Sequence, residues 1–306
     1  MCRIPQGFLL RHRDKLLGVY FVDDRNGWVV GDNGLALKTP DGGESWQRVT
    51  ISEQSFKDVF FIGENGWIVG VGGLILHTDN GGETWGKQAS NVEQCLLSVF
   101  FLDANKGFTV GVEGTILRTE DAGLSWKILD IDWLAFLPEV LDEMGVFSIN
   151  LYDVFFPNET SGCIVGEYGI VLYTIDGGKE WVLSQLGDFP TIFSVCFKSD
   201  KVGWAVGQHG FFLKTYDGGR NWEKLAIDTV NSLYKIQISN DYGVIVGDHA
   251  TILTTNDGGK TWVENPQNLP PPYPWFADAW IFPSNPAKIL SVGKGVIINA
   301  GIYTKR

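Results

Sequence analysis

The residue types that most often do chemistry are scarce. The 306 residues include four cysteines, four histidines and two methionines. Cys2, Cys95, Cys163 and Cys196 lack metal-ligand spacing, and the last three fall in apolar strand patterns, so buried free thiols are expected. His12, His77, His209 and His249 are scattered, and no Ser-His-Asp or Cys-His arrangement can be drawn. No metal and no cofactor is expected. No apolar run reaches the length of a membrane-spanning helix, so no membrane insertion is expected. No run of Lys or Arg offsets the formal net charge of −12, which disfavours nucleic acid and anionic membrane surfaces. Met1 to Gln6 contains no apolar core of a signal peptide, and the chain as written reads as cytoplasmic.

Glycine and tryptophan are abundant instead, at 38 and 12 residues, and one motif uses both. Thr-x-Asp-Gly-Gly-x-x-Trp, or a close variant, runs from Thr39 to Trp46, Thr78 to Trp85, Thr119 to Trp126, Thr174 to Trp181, Thr215 to Trp222 and Thr255 to Trp262. Successive tryptophans are 39, 41, 55, 41 and 40 residues apart. A period of that size marks one supersecondary unit repeated, each copy unable to bury its faces alone. Each unit opens on an apolar run such as Val59-Phe60-Phe61 and continues through Gly-Trp-Val-Val-Gly or a variant. A third run ends in the Asp-Gly-Gly turn, and a short fourth begins at the Trp. Four short strands per unit, rich in aromatic and β-branched residues, give an all-β fold and the blade of a β-propeller.

Six units are explicit, at about 16–50, 55–90, 95–130, 150–186, 191–226 and 232–266. A seventh can be assembled from 275–306 plus 3–13, with Gly7 to His12 as its fourth strand. Joining both termini in one blade closes the ring and removes a free sheet edge. The expectation is therefore a single seven-bladed domain with four-stranded antiparallel blades, six blades being the fallback.

The unit Leu-x-x-Val-x-Phe followed by Gly-Trp-x-Val-Gly-x-x-Gly-x-Ile-Leu-x-Thr-x-Asp-Gly-Gly-x-x-Trp resembles the photosystem II stability and assembly-factor family of Asp-box (BNR-type) propellers. The likeness covers nearly the whole chain. It implies a non-catalytic scaffold that binds a protein partner during assembly of a larger complex, and a monomer is expected. Members of that family are often exported, so an upstream start would change the cytoplasmic reading to periplasmic or secreted. This chain shows no arginine-rich strip that maps onto the family's proposed binding patch, and no export signal.

The repeated acidic position holds Asp41, Asn80, Asp121, Asp176, Asp217 and Asp257. It sits in the turn between third and fourth strands, where an Asp accepts N–H groups of its own turn, so its role is structural. The Trp is expected to wedge between blades. Three other sets remain for function. The variable pairs inside Val-Gly-x-x-Gly include Asp32 with Asn33, Val71 with Gly72, Val112 with Glu113, Glu167 with Tyr168, Gln208 with His209 and Asp248 with His249, with Lys294 in the last blade. They join second to third strands, on the face opposite the Asp boxes, and vary while their flanks repeat, as binding loops on a scaffold do. A channel set occupies one position in each innermost strand: Asp58, Asp153, Lys235 and Asp278, with Gly18, Ser98 and Ser194 at equivalent places. Charge inside an apolar strand points to a wet channel. Finally, residues 130–147 form an insertion between blades on the same face as the pairs. A short helix is expected from about Pro138 to Met144, with Trp133, Phe136, Leu137 and Leu141 forming either an exposed apolar patch or a plug over the channel. The proline-rich link 265–275 should run extended on that face.

The enzymatic alternative is an exo-acting glycoside hydrolase, for which carbohydrate would be the ligand. A sialidase-like site needs three convergent arginines, and no such triad can be drawn among the eight present. A two-carboxylate mechanism needs a close acid pair in an aromatic-lined cleft, for which Asp or Glu pairs on the face of the variable turns, such as Glu113 with Glu167, are candidates.

Overall fold

The computed structural model describes residues 10–133, 149–184, 186, 190–267 and 269–301. These residues form seven antiparallel sheets, each a simple meander in chain order. Consecutive innermost strands (Leu16–Phe21, Phe56–Ile62, Leu96–Phe101, Leu151–Phe155, Ile192–Phe197, Leu233–Ser239 and Phe276–Phe282) pack side by side around one axis, and the last returns to the first. The architecture is the expected seven-bladed, all-β propeller.

Six sheets have four strands, and the seventh has three among the described residues. The proposed completing strand begins at Gly7, and Gly7, Phe8 and Leu9 lie outside the described residues. Leu10, the next residue, packs half-buried against the core shared by blades 1 and 7. The ring closes through several contacts. The Gly295 N–H donates to the Asp14 carbonyl at 2.7 Å, Lys15 bridges to Lys294, and the Val19 N–H donates to Asp278 at 2.9 Å.

The turns between second and third strands of blades 1 to 6 are built alike. Asn33, Glu113, Tyr168, His209 and His249 all have φ between +52° and +57°, each followed by a second residue of positive φ. Two successive left-handed residues make the hairpin turn that matches the twist of its strands. The same turn is tied to the link entering the next blade. Gly73, Gly114, Gly169 and Gly210 donate their N–H groups to the carbonyls of Gln94, Ile149, Pro190 and Asn231. The second residue of these pairs is therefore only partly free of the scaffold. Its side chain varies, but its backbone is held left-handed because the next N–H must reach the neighbouring link.

On the opposite face each Asp-box turn docks on the turn between first and second strands, as where the Gly42 N–H donates to the Arg25 carbonyl at 2.7 Å. The Asp41 carboxylate accepts from the Thr39 hydroxyl, the Ser45 N–H and the Ser45 hydroxyl at 2.8, 2.9 and 2.5 Å. Thr39 in turn accepts the Gly43 N–H. Asn80, Asp121, Asp176, Asp217 and Asp257 repeat this pattern, so all six are turn residues. The tryptophans wedge between blades as expected. Trp46 shares a core with Phe282 and Leu290 of blade 7, and Trp85 lies edge-on to Trp28 of blade 1. The second glycine of the box makes room for this junction: a Cβ at Gly82, φ +85°, would sit 2.2 Å from the Trp28 ring.

Candidate functional site

The innermost strands all carry the same irregularity. Pairing with the second strand skips one residue in every blade, between Leu16 and Gly18, Phe56 and Asp58, Leu96 and Ser98, Leu151 and Asp153, Ile192 and Ser194, Leu233 and Lys235, and Phe276 and Asp278. A β-bulge bends its strand and re-aims side chains. The seven skipped residues are Leu17, Lys57, Leu97, Tyr152, Phe193, Tyr234 and Ala277, and all of them line one cavity of about 430 Å³. Trp275, from the proline-rich link, joins them. This cavity is the channel mouth. It opens on the face of the variable pairs, since Tyr152, Tyr234 and Lys57 bond to members of those pairs.

Those bonds tie the bulge residues to the variable turns. The Tyr152 hydroxyl donates to Glu167 at 3.2 Å, and Tyr234 donates to Asp248 at 2.9 Å. Lys57 of blade 2 reaches Asp32 of blade 1 at 3.0 Å, and Lys15 approaches the same carboxylate at 3.6 Å. Burial, followed by the neighbouring carboxylate, pushes the Tyr152 and Tyr234 hydroxyls up to about 12, so both remain donors at ordinary pH. The rings form a continuous arc: Tyr152 meets Phe193 at 5.1 Å and 73°, and Phe193 meets Tyr234 at 5.2 Å and 62°. Such edge-to-face contacts fix ring orientation.

Below the mouth lie the expected channel residues, and the structure brings them together. Asp58, Asp153, Lys235 and Asp278 line the same cavity. The Lys235 ammonium lies 3.3 Å from Asp153. Asp153 also accepts the hydroxyls of Ser98 and Ser194, at 3.1 and 2.7 Å, and the Val195 N–H. Asp58 accepts the Val59 and Val99 N–H groups, and Asp278 those of Ala279 and Val19. In each case one oxygen takes an N–H from its own blade or strand and the other takes one from the next blade. These carboxylates therefore staple blade 2 to 3, 4 to 5 and 7 to 1, satisfying inner-edge N–H groups that no strand pairs.

The three carboxylates face one ammonium. Burial raises Asp278 to about 7, with Lys235 and two backbone N–H groups opposing and Asp58 adding to the rise. Asp58 is raised for the same first reason. Lys235 is pulled down by burial, but Asp153, Asp278 and Asp58 more than reverse this and hold it protonated. Beyond this floor the channel narrows through half-buried aromatic residues. Trp280, Tyr20, Phe60, Phe100 and Phe155 succeed one another with centroids 4.7 to 5.3 Å apart.

The remaining sequence candidates are less convergent. Glu113 is engaged by Gln94 at 3.0 Å, and Glu167 by Asn150 and Tyr152, so each carboxylate is held within its own blade. Asn33, Glu113, His209 and His249 are exposed on the rim, Asp32, Tyr168, Gln208, Asp248 and Lys294 half-buried. Among the described residues no three His, Cys, Asp or Glu side chains group as metal ligands. Trp133 is neither an exposed patch nor a channel plug: it lies half-buried against the blade 4 core, its indole over Gly114. Phe136, Leu137, Leu141 and the proposed helix lie outside the described residues. Cys163 and Cys196 are buried thiols pushed upward by burial, and Cys95 is half-buried.

Comparison with known proteins decides the family. A family model described as photosynthesis system II assembly factor YCF48 matches residues 6–91, 85–188 and 183–274. The chain belongs to that family. A curated relative, the photosystem II assembly lipoprotein Ycf48 of Prochlorococcus marinus (strain MIT 9312), is 40% identical over 53 residues. That match spans 16% of this chain and only 16% of the relative. Among solved structures, YCF48 bound to D1 peptide superposes with a TM-score of 0.76 at 20% identity, over 97% of this chain and 96% of that one. The GH74 xyloglucanase of Xanthomonas campestris superposes at 0.74 with 12% identity, over 94% of this chain and 52% of the enzyme. At such identities both structures speak for the propeller and no further. Among the described residues no helix is long and apolar enough to cross a membrane.

Proposed function

We propose that this YCF48-family chain is a non-catalytic assembly factor that holds a segment of a protein subunit across the channel mouth. The observation that carries the reading is the bulge ring. It gathers one side chain from every blade into a single aromatic-lined cavity and bonds that cavity to the variable turns around it. Concave sites with apolar walls and a few fixed polar groups are the usual place for recognition. The D1 peptide named for the solved relative is the first ligand to try. The name of the curated relative, a lipoprotein, supports an exported or membrane-associated setting for this chain as well.

A glycoside hydrolase is the second reading, favoured by one feature: raised carboxylates beneath aromatic walls. It is the weaker of the two. Both oxygens of Asp58 and of Asp278 already accept backbone N–H groups, one from their own strand and one across a blade junction, which suits a staple better than a proton donor. One experiment separates the readings. Fluorescence anisotropy with labelled D1 peptide should show saturable binding that Tyr152→Ala/Tyr234→Ala weakens at least several-fold. Absence of binding, together with release of reducing ends from xyloglucan by the unmodified protein, would replace assembly with hydrolysis.

A further inference from the structure

Cation recognition needs an electron-rich aromatic face, a nearby surplus of negative charge, and cations of the protein's own that are already neutralised. The mouth meets all three conditions. Blades 4, 5 and 6 supply Tyr152, Phe193 and Tyr234 in edge-to-face sequence, and the link into blade 7 supplies Trp275. Two of these rings donate their hydroxyls to carboxylates, Glu167 and Asp248. A phenol that donates a hydrogen bond to an anion is richer in electrons over its face, which strengthens attraction for a cation.

The floor carries Asp58, Asp153 and Asp278 against the single ammonium of Lys235, a surplus of two negative charges when all are ionised. At Asp58 and Asp278 backbone N–H groups donate two hydrogen bonds to a carboxylate that can accept about four, leaving acceptor capacity in the lumen. The two ammonium groups of the mouth are already paired, Lys57 with Asp32 and Lys235 with Asp153. Among the described residues an anion would find no free cation lining this mouth. A neutral apolar group would fill the walls and leave the charge beneath it buried without compensation.

We infer that the channel mouth receives a cationic side chain, a lysine or arginine projecting from the partner segment, held between the Tyr152–Phe193–Tyr234–Trp275 arc and the carboxylate floor. The inference rests on the docking function proposed above and gives it a chemistry. The net charge of −12 acts in the same direction, steering a basic segment toward the protein.

The test uses four capped tripeptides, N-acetyl-Gly-X-Gly-amide with X as lysine, arginine, norleucine or glutamate, titrated into the full chain. Binding is followed by the indole N–H resonance of Trp275, assigned through Trp275→Phe. Lysyl and arginyl peptides should bind in the millimolar range, about fivefold to tenfold more tightly than norleucyl, with glutamyl weakest. Phe193→Leu keeps apolar volume while removing the central π face. It should bring the lysyl peptide to the norleucyl level with the thermal midpoint little changed. Equal binding of lysyl and norleucyl, tightest binding of glutamyl, or a Trp275 signal that none of the peptides moves would each overturn the inference. If D1 peptide still binds in any of these cases, docking at this face stands and only its cationic chemistry fails.

Discussion

Replacing Asp278 by Asn tests the reading of the channel carboxylates as staples held in a hostile electrostatic setting. Asp278 is 7% exposed and joins blade 7 to blade 1, one of the contacts that close the ring. Its carboxyl is raised from an ordinary 3.8 to about 7. The folded state thus binds a proton that the unfolded chain would release, so ionised Asp278 works against folding. This burden is absent below about pH 4, grows as pH rises, and is complete above about pH 7. At 1.36 kcal/mol per pH unit the difference comes to about 4 kcal/mol, an upper figure because the group is coupled to Lys235 and Asp58.

Asn keeps one acceptor oxygen but presents an N–H₂ to one of the two backbone donors, at a cost of about 1–3 kcal/mol. The protonated acid carries much the same handicap. Near pH 4 the variant and the parent should therefore be similarly stable. Near pH 8.5 the variant should be as stable as the parent or more so, by a few kcal/mol. Urea unfolding followed by tryptophan fluorescence at both values gives the comparison. The parent should lose stability between them and the variant should lose less, although not zero, because Asp58 keeps its own upward shift. Parallel profiles, or a variant that is worse off at the higher pH, would refute the argument.

Two further substitutions probe the scaffold. Gly82→Ala places a Cβ 2.2 Å from the Trp28 ring at φ +85°, whereas Gly81→Ala, at φ +67°, meets nothing within 4 Å. The first should cost about 2–4 kcal/mol and the second about 1–2 kcal/mol, so equal losses by thermal or urea unfolding would mean that blade packing does not limit this turn. Asp257→Ala removes an acceptor for the Thr255 hydroxyl and for the Lys260 and Thr261 N–H groups, at about 1–2 kcal/mol. Partial burial pushes Asp257 up, but bonds from Thr261 and Thr255 outweigh it and bring the carboxyl to about 2. Its stabilising contribution is therefore present above about pH 4 and lost as pH falls through about 2, and the gap between variant and parent should close over that window.

The blade and its punctuation were legible because they repeat. A turn that needs Asp, two glycines of positive φ and a wedge Trp leaves the same letters every 40 residues or so, and the structure uses them as those letters imply. The channel residues were legible for a similar reason, since a charge at Asp58, Asp153, Lys235 or Asp278 interrupts an apolar strand. The mouth was not. Its residues, Leu17, Lys57, Leu97, Tyr152, Phe193, Tyr234 and Ala277, occupy an alternating position where a polar or aromatic residue reads as ordinary strand surface. Only the skipped pairing partner, invisible in the letters, turns that position into the rim of a cavity. One trace of it was present. The position just before the channel residue changes character from blade to blade while the residue ahead of it stays apolar.

That contrast also explains why function is carried so lightly by this fold. Ring closure demands that each blade meet its neighbours identically, and the Asp box, the wedge Trp and the left-handed pair all serve that demand. The bulge side chain contributes nothing to sheet pairing, and in every blade it projects toward the one place where all seven blades meet. A change there alters the chemistry of the mouth at little cost to the ring, whereas the same change one residue later, at Asp278 or Asp153, undoes a junction. Specificity and stability thus lie on adjacent residues of the same strand, separated by a single unpaired position.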